Sequence, residues 1–289
     1  MSGAQNSPTP PPLFDRNRIA RRLKRAWTGS PDFVTQLVLN DLADRLAITK
    51  RHFTKAAFLA PDIRVFPDEL RSAEGPITFE KFSTLVSVEH DALDPENLQF
   101  PTADYELIVS LLDLQVINDV PGFLTQLRRH LKPDGLLLAA ALGGQSLAEL
   151  RAAWLRADAI QFGGAYARIA PFIDVRDAGT LLQRTGFALP VADKESHIVR
   201  YADPLALMGE LRAIGASNPM HEAIPHWVTR NLLGAAIDAY PRDEDDRISA
   251  TLEIVWMSGW APHESQQKPL APGSAKVSLA QVLGKRRVG

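Results

Sequence analysis

Tyr105-Glu106-Leu107-Ile108-Val109-Ser110-Leu111-Leu112-Asp113-Leu114-Gln115-Val116-Ile117-Asn118-Asp119, followed by Leu131-Lys132-Pro133-Asp134-Gly135, is the stretch on which the fold turns. Leu107 to Leu112 is an almost unbroken apolar run of strand length, as expected where both faces of a sheet are covered. Asn118 or Asp119 can cap the next helix, and Pro121 suits its first turn. Val120, Phe123, Leu124, Leu127 and Leu131 then form one apolar helical face. In Lys132-Pro133-Asp134-Gly135, proline stops the helix and glycine is expected to supply a positive φ. Leu136 to Leu142 is the next strand. Strand, helix, tight turn and strand make a βαβ crossover, so the two strands run parallel.

Outward from this unit the pattern stays α/β. Phe33, Leu37, Val38, Leu42 and Leu46 predict an amphipathic helix. Ala56 to Ala60, ended by Pro61, predicts a buried strand, and Ile77–Phe79 and Thr84–Val88 predict two short ones. Ser146 and Glu149 form a capping box ahead of Leu147, Leu150 and Trp154. Asp174 and Asp177 open a helix closed by Gly186; His197–Tyr201 reads as a strand. Asp203-Pro204 starts another helix, and His221–Tyr240 reads as helical. Leu252, Ile254, Trp256, Ser258 and Trp260 alternate along a last, half-buried strand. The expected architecture is one doubly wound, Rossmann-like sheet over 13–280 with a helical insertion near 203–240. A disordered leader over 1–12 and a basic tail over 281–289 complete it.

The totals exclude several classes. The chain of 289 residues is 45% apolar and 23% charged with a formal charge of −2, which argues against a nucleic-acid-coating protein. It has no cysteine, hence no disulfide scaffold, thiolate metal site or cysteine nucleophile. The longest apolar run, Leu136–Leu142, is too short to span a bilayer. Arg16, Arg18, Arg21, Arg22, Lys24 and Arg25 crowd ten positions. That cluster admits three readings: a solvated opening helix, an arm for an acidic partner or membrane, or the remnant of an organelle-targeting leader.

The Tyr105–Asp119 run resembles the fourth-strand motif of class I S-adenosylmethionine-dependent methyltransferases, and Leu131–Gly135 the turn before their fifth strand. Four further blocks narrow the likeness: Phe14-Asp15-Arg16; Leu142-Gly143-Gly144 with Glu149-Leu150-Arg151; Ala170-Pro171-Phe172 with Asp174; and Gly259-Trp260 followed by His263-Glu264-Ser265-Gln266. Together they are similar to the family of mitochondrial complex I assembly factor five and its bacterial relatives. The resemblance implies the methyltransferase fold. It also implies either S-adenosylmethionine chemistry or the arginine hydroxylation of a complex I subunit associated with the mitochondrial member. The implied compartment is the mitochondrial matrix, or the cytoplasm for a bacterial chain.

One segment departs from the family. Where a working cofactor site follows the first strand with Asp-Leu-Gly-Cys-Gly-x-Gly, this chain reads Phe58-Leu59-Ala60-Pro61-Asp62-Ile63-Arg64. Glycines there let the backbone approach the cofactor without a Cβ in the way, and Pro61 removes a donor. Glu80 is the rough candidate for the ribose carboxylate, Asp91 for the adenine side, and Gln115-Val116 stands where relatives carry His-Trp. The rim that the resemblance implies is Ala60, Pro61, Asp62, Asp91, Ala92, Leu93, Ser110, Leu111 and Leu112, with no catalytic residue assigned. The expectations are weak or absent S-adenosylmethionine binding and a narrowed apolar cleft, filled from among Phe58, Leu59, Ile63, Leu93 and Leu112. The expected role is that of a non-catalytic binding or assembly factor, partnered by a complex I subunit or a paralogous methyltransferase-like protein.

Other constellations carry less. His221, His226, His263 and Glu264 could form a two-histidine, one-carboxylate iron site, although a spacing of five does not stack two ligands on one helix face. Surface or capping histidines are the simpler reading, and no metal site is assigned. His263-Glu264-Ser265 is a candidate for the cleft wall, and Arg168 is expected to pair with Asp174 and Asp177. Gly143-Gly144 and Gly163-Gly164 fit turns better than ligand contacts.

Overall fold

A computed structural model describes residues 12–67, 69–87, 92–221 and 226–266. In chain order the elements are α1 (Arg16–Ala26), α2 (Phe33–Ala47), β1 (Ala56–Asp62), β2 (Leu70–Ser72), β3 (Gly75–Ile77), β4 (Phe79–Val86) and β5 (Tyr105–Leu111). Then come α3 (Val120–His130), β6 (Leu131–Leu142), α4 (Ala148–Phe162), α5 (Val175–Arg184), β7 (Ala188–Tyr201), α6 (Pro204–Ala213), α7 (Arg230–Asp238) and β8 (Ile248–Trp260). Six strands form one sheet in the order β4-β1-β5-β6-β8-β7, and β2 and β3 form a separate hairpin. The first four strands are parallel; β8 runs antiparallel to both β6 and β7. This is the doubly wound sheet that the sequence predicts.

The apolar run of β5 has helices on both sides. Ile108 and, on β1, Ala57 and Leu59 face a core shared with Phe123, Leu124 and Leu127 of α3 and Leu182 of α5. Leu107, Val109 and Phe58 face the other way, against Val38, Leu42 and Leu46 of α2. Strand alternation thus divides one continuous run between two cores. A third cluster joins α4, α6 and α7 to the start of β8 through Trp154, Leu207, Leu232 and Ile248. Of these helices, α6 and α7 fall within the stretch near 203–240, while α4 precedes it.

Several local expectations give way. The strand pieces Ile77–Phe79 and Thr84–Val88 are reorganised: β3 ends at Ile77, and β4 runs unbroken from Phe79 to Val86. β1 continues through Pro61 to Asp62 with a register shift that accommodates the missing N–H. The strand predicted from His197 begins at Ala188. Within the predicted helix His221–Tyr240, the helix starts only at Arg230, where Thr229 caps Leu232; residues 222–225 lie outside the described residues. The expected turn is absorbed into the amino end of β6, which starts at Leu131, and the positive φ there belongs to Asp134 at 63°, a residue type that tolerates it. Gly135 is needed for a different reason: a Cβ there would sit 2.9 Å from the carbonyl oxygens of Lys132 and Tyr105.

The capping box also fails. Ser146 Oγ exchanges hydrogen bonds with the backbone of Glu253, and the Glu149 carboxylate accepts from Thr251 N and Oγ1. Both side chains tie α4 to β8, leaving Leu147 at the helix start without a side-chain cap. The leader expected over 1–12 (residue 12 apart) and the tail over 281–289 lie outside the described residues.

Candidate functional site

β4 lies on one side of β1 and β5 on the other, so the winding of the sheet reverses between β1 and β5. Pockets in doubly wound sheets form at the carboxyl ends of the strands beside such a reversal. A cavity of about 490 Å³ opens there, between the ends of β1 and β5, helices α1, α2 and α6, and the adjoining ends of β7 and β8. Its volume lies within the ~300–1,000 Å³ typical of small-molecule pockets.

The lining is mainly apolar, as expected, but the cleft is not narrowed. Phe58 and Leu59 are fully buried in the two cores, because strand alternation turns them into opposite sheet faces. They are thereby unavailable to fill the rim. Of the residues expected to form the rim, Ala60, Pro61, Asp62, Leu111 and Leu112 line the cavity. Ser110 is fully buried, with no hydrogen-bond partner for its hydroxyl among the described residues, and does not reach it. Ala92 is exposed, and Leu93 packs on the α3-side core with its N–H bonded to the Ser83 carbonyl. Neither lines the cavity. Asp91 lies outside the described residues.

The loop after β1 is closed on itself. Asp62 Oδ1 accepts from the Arg64 N–H at 3.0 Å and from Arg64 Nε at 2.9 Å, while Oδ2 takes Arg64 Nη2 at 2.5 Å. The same guanidinium stacks 4.5 Å over the ring of Trp27, itself a cavity wall. Glu80 sits at the opposite, amino end of β4, accepting from Tyr105 Oη at 2.6 Å and from Thr102 Oγ1. It cannot meet a ribose at the carboxyl rim.

The cavity has room for S-adenosylmethionine, but the residues present do not fit that group. The loop after β1 carries a Cβ at every position. Pro61 offers no donor, and the Arg64 N–H is already held by Asp62.

Sequence reasoning missed a buried acid beside the rim. Asp113, just past β5, is fully buried; its Oδ1 accepts from Thr84 Oγ1 at 2.8 Å and lies 4.0 Å from Arg16 Nη2. Burial pushes its carboxyl up to about 6 against the opposing pull of Arg16 and the Thr84 hydrogen bond. Oδ2 has no hydrogen-bond partner among the described residues. Arg16 also donates to the carbonyls of Val116 at 2.8 Å and Thr84 at 2.9 Å, and so fastens α1 to the strand ends. Arg22 similarly grips the carbonyls of Ser217 and Asn218. The basic segment is therefore neither a free arm nor a wholly solvated face, with only Arg21, Lys24 and Arg25 left exposed among its cations. The block Phe14-Asp15-Arg16 is the sequence signal that sets Arg16 apart from the other cations of the segment.

Two further placements overturn expectations. Arg168 pairs with Asp158, not with Asp174 or Asp177: three hydrogen bonds of 2.7 to 3.0 Å join side chains that are both almost completely buried. Asp174 instead caps α5 through the Arg176 N–H. His263-Glu264-Ser265-Gln266 lies far from the cleft wall, since Gln266 Nε2 binds Asp134 Oδ1 at the amino end of β6. His263 Nδ1 contacts Ser265 Oγ, and His226 stacks on Phe162 at 4.0 Å. Among the described residues no group of three His, Asp or Glu side chains could hold a metal ion. Gly143 is a packing position, since a Cβ there would come 2.5 Å from Glu253 Oε1.

Comparison with known proteins agrees with this architecture. The family model described as a methyltransferase domain matches residues 12–190. The mitochondrial arginine-hydroxylase NDUFAF5 of Danio rerio is 37% identical over 292 residues, covering 93% of this chain and 89% of that protein. The match to the Dictyostelium discoideum protein of the same name, 34% over 187 residues, covers 64% of this chain but only 43% of that one. A malonyl-[acyl-carrier protein] O-methyltransferase of Halorhodospira halophila is 33% identical over 199 residues, 67% of this chain and 65% of that enzyme. The chain belongs to the methyltransferase-domain family and, within it, to the family of the mitochondrial arginine-hydroxylase NDUFAF5.

Proposed function

We propose that this protein keeps the methyltransferase fold as a binding platform, acting as an assembly factor of the complex I type without using S-adenosylmethionine. The observation that carries this reading is the closed loop after β1, where Pro61 removes a donor and Arg64 occupies the Asp62 carboxylate. The partner on this reading is a protein, either a complex I subunit or a paralogous methyltransferase-like chain. Arg21, Lys24 and Arg25, exposed on α1, are its contact for acidic surface. The compartment is the one where that complex assembles: the mitochondrial matrix, or the bacterial cytoplasm. No helix of the described residues is long and apolar enough to cross a membrane.

Calorimetric titration of the full chain with S-adenosylmethionine tests the reading. No saturable heat is expected. A dissociation constant in the low micromolar range, about −7 to −8 kcal/mol, requires a formed site and would overturn it.

A second reading, arginine hydroxylation of a protein partner, is favoured by one observation: the NDUFAF5 match extends over nearly the whole chain. It predicts the gain of one oxygen on an arginine of a co-purified partner, visible by peptide mass spectrometry. Loss of that mark on deleting this chain would establish hydroxylation over the platform.

A further inference from the structure

The large sheet ends in two edge strands, β4 and β7, and they are treated differently. At β4, Arg16 of α1 donates to the Thr84 carbonyl and the Leu93 N–H to the Ser83 carbonyl. At β7, no strand among the described residues pairs with the outer edge. An open edge is a template for another strand, so folded proteins keep such strands short, charged or interrupted. β7 is 14 residues long, against about 5–6 for a common strand. Its interruptions, Pro190 and a register shift between Ala188 and Val191, lie at its start; from Val191 to Tyr201 the ladder with β8 is regular.

Most charges along that regular part are held by their own molecule. Asp193 accepts two hydrogen bonds from Arg45, Lys194 Nζ lies 2.6 Å from Glu253 Oε2, and Arg200 binds Asp243 and Asp245. Glu195 lies 3.8 Å from Arg45 and 3.7 Å from His197. Between these charges Ser196 is exposed, and Ile198 is 71% exposed. The side chains that would repel an approaching strand are thus largely neutralised, with an apolar residue among them.

The order of residues in β7 says what pairs with it. A two-fold axis perpendicular to the sheet sets two copies of β7 antiparallel, each residue opposite the one equally far beyond the centre. Centring on Asp193, Lys194 or Glu195 sets like charges face to face at the axis itself. Centring on His197 sets Lys194 opposite Arg200, and centres farther out leave more than a third of the strand unpaired. Centring on Ser196 brings no like charges together. Glu195 of each copy then faces His197 of the other, and the Lys194 methylenes lie against Ile198. We infer that β7 pairs with β7 of a second copy of this chain, antiparallel and centred on Ser196, joining the two sheets into one. The inference goes beyond the platform reading and does not depend on it.

The chain has no cysteine, so Ser196→Cys places a lone thiol on the axis. Residues directly opposite have Cα atoms about 4.5–5.5 Å apart, within disulfide reach. In Ile198→Cys the two thiols stand four positions out of register, about 13 Å apart and beyond that reach. Mild oxidation of the full chain should cross-link Ser196→Cys at least about tenfold faster than Ile198→Cys. Sedimentation equilibrium of the parent from about 1 to 300 µM should show a monomer–dimer equilibrium in the micromolar range, since one strand pair is a small interface. His197→Glu sets glutamates opposite each other twice and should weaken the dimer about tenfold. Combining Glu195→His with His197→Glu restores both contacts and should return affinity to within about threefold of the parent; damage to the strand alone would not be reversed. A parent that stays monomeric, as an edge covered by its own chain or by a different protein would give, overturns the inference. So does equal cross-linking of the two cysteine variants, or a combined exchange as weak as His197→Glu.

Discussion

Replacing Asp113 by asparagine isolates the energy of one buried charge. The carboxyl is fully buried and its proton affinity is raised to about 6, from an ordinary value of 3.8, chiefly by desolvation. An acid with a raised folded value favours folding while protonated, and that advantage disappears as pH climbs from the unfolded to the folded value. The window is therefore about pH 4 to about pH 6, and a shift of about two units corresponds to roughly 3 kcal/mol. Asp113→Asn retains the acceptor used by Thr84 Oγ1 and removes the ionisation. Its new N–H₂ group sits where Oδ2 now has no partner, a cost of about 1–3 kcal/mol that is the same at every pH. Only the difference between the variants should move with pH. Urea denaturation at pH 4, 5, 6 and 7.5 reads it directly, because midpoint shifts at constant slope report stability. The stability of Asp113→Asn relative to the parent is expected to improve by about 3 kcal/mol across that range, with most of the change complete by about pH 6. A difference that stays constant within about 0.5 kcal/mol would refute the buried-charge account.

Two further substitutions probe the scaffold. Asp158→Ala leaves the Arg168 guanidinium buried without its partner and should cost about 3–5 kcal/mol in chemical denaturation; the double change Asp158→Leu with Arg168→Met should recover most of that. Burial opposes the charge of Glu106, but Lys132 and the Thr54 N–H and hydroxyl outweigh it and hold the carboxyl at about 2. Its contribution is present above about pH 4.5 and lost as pH falls toward 2, so Glu106→Gln should destabilise by about 1–2 kcal/mol at pH 7. Urea midpoints should show that gap closing in acid.

Sequence determined by itself what depends on near neighbours. The apolar run Leu107–Leu112, the capped helix after Asp119 and the Leu131–Gly135 turn led to the parallel crossover, because helix period, strand alternation and proline geometry are written within a few residues. The absence of glycine from Ala60 to Arg64 was equally legible, and the structure adds how that loop closes, through the Asp62–Arg64 pair. Tertiary structure decided the partners of charges. Arg16 reaches the Thr84 carbonyl across 68 positions of chain, and Arg168 chooses Asp158 over Asp174 because α4 packs beside it. Glu149 and Ser146 form a capping box by spacing alone, yet β8 offers both of them stronger partners. The width of the cavity was also out of reach, since it depends on how far α1, α2 and α6 stand from the strand ends. A pattern within one segment shows which face of an element is apolar. Which distant element meets that face, and which polar atom is left without a partner, follows only from packing the whole chain.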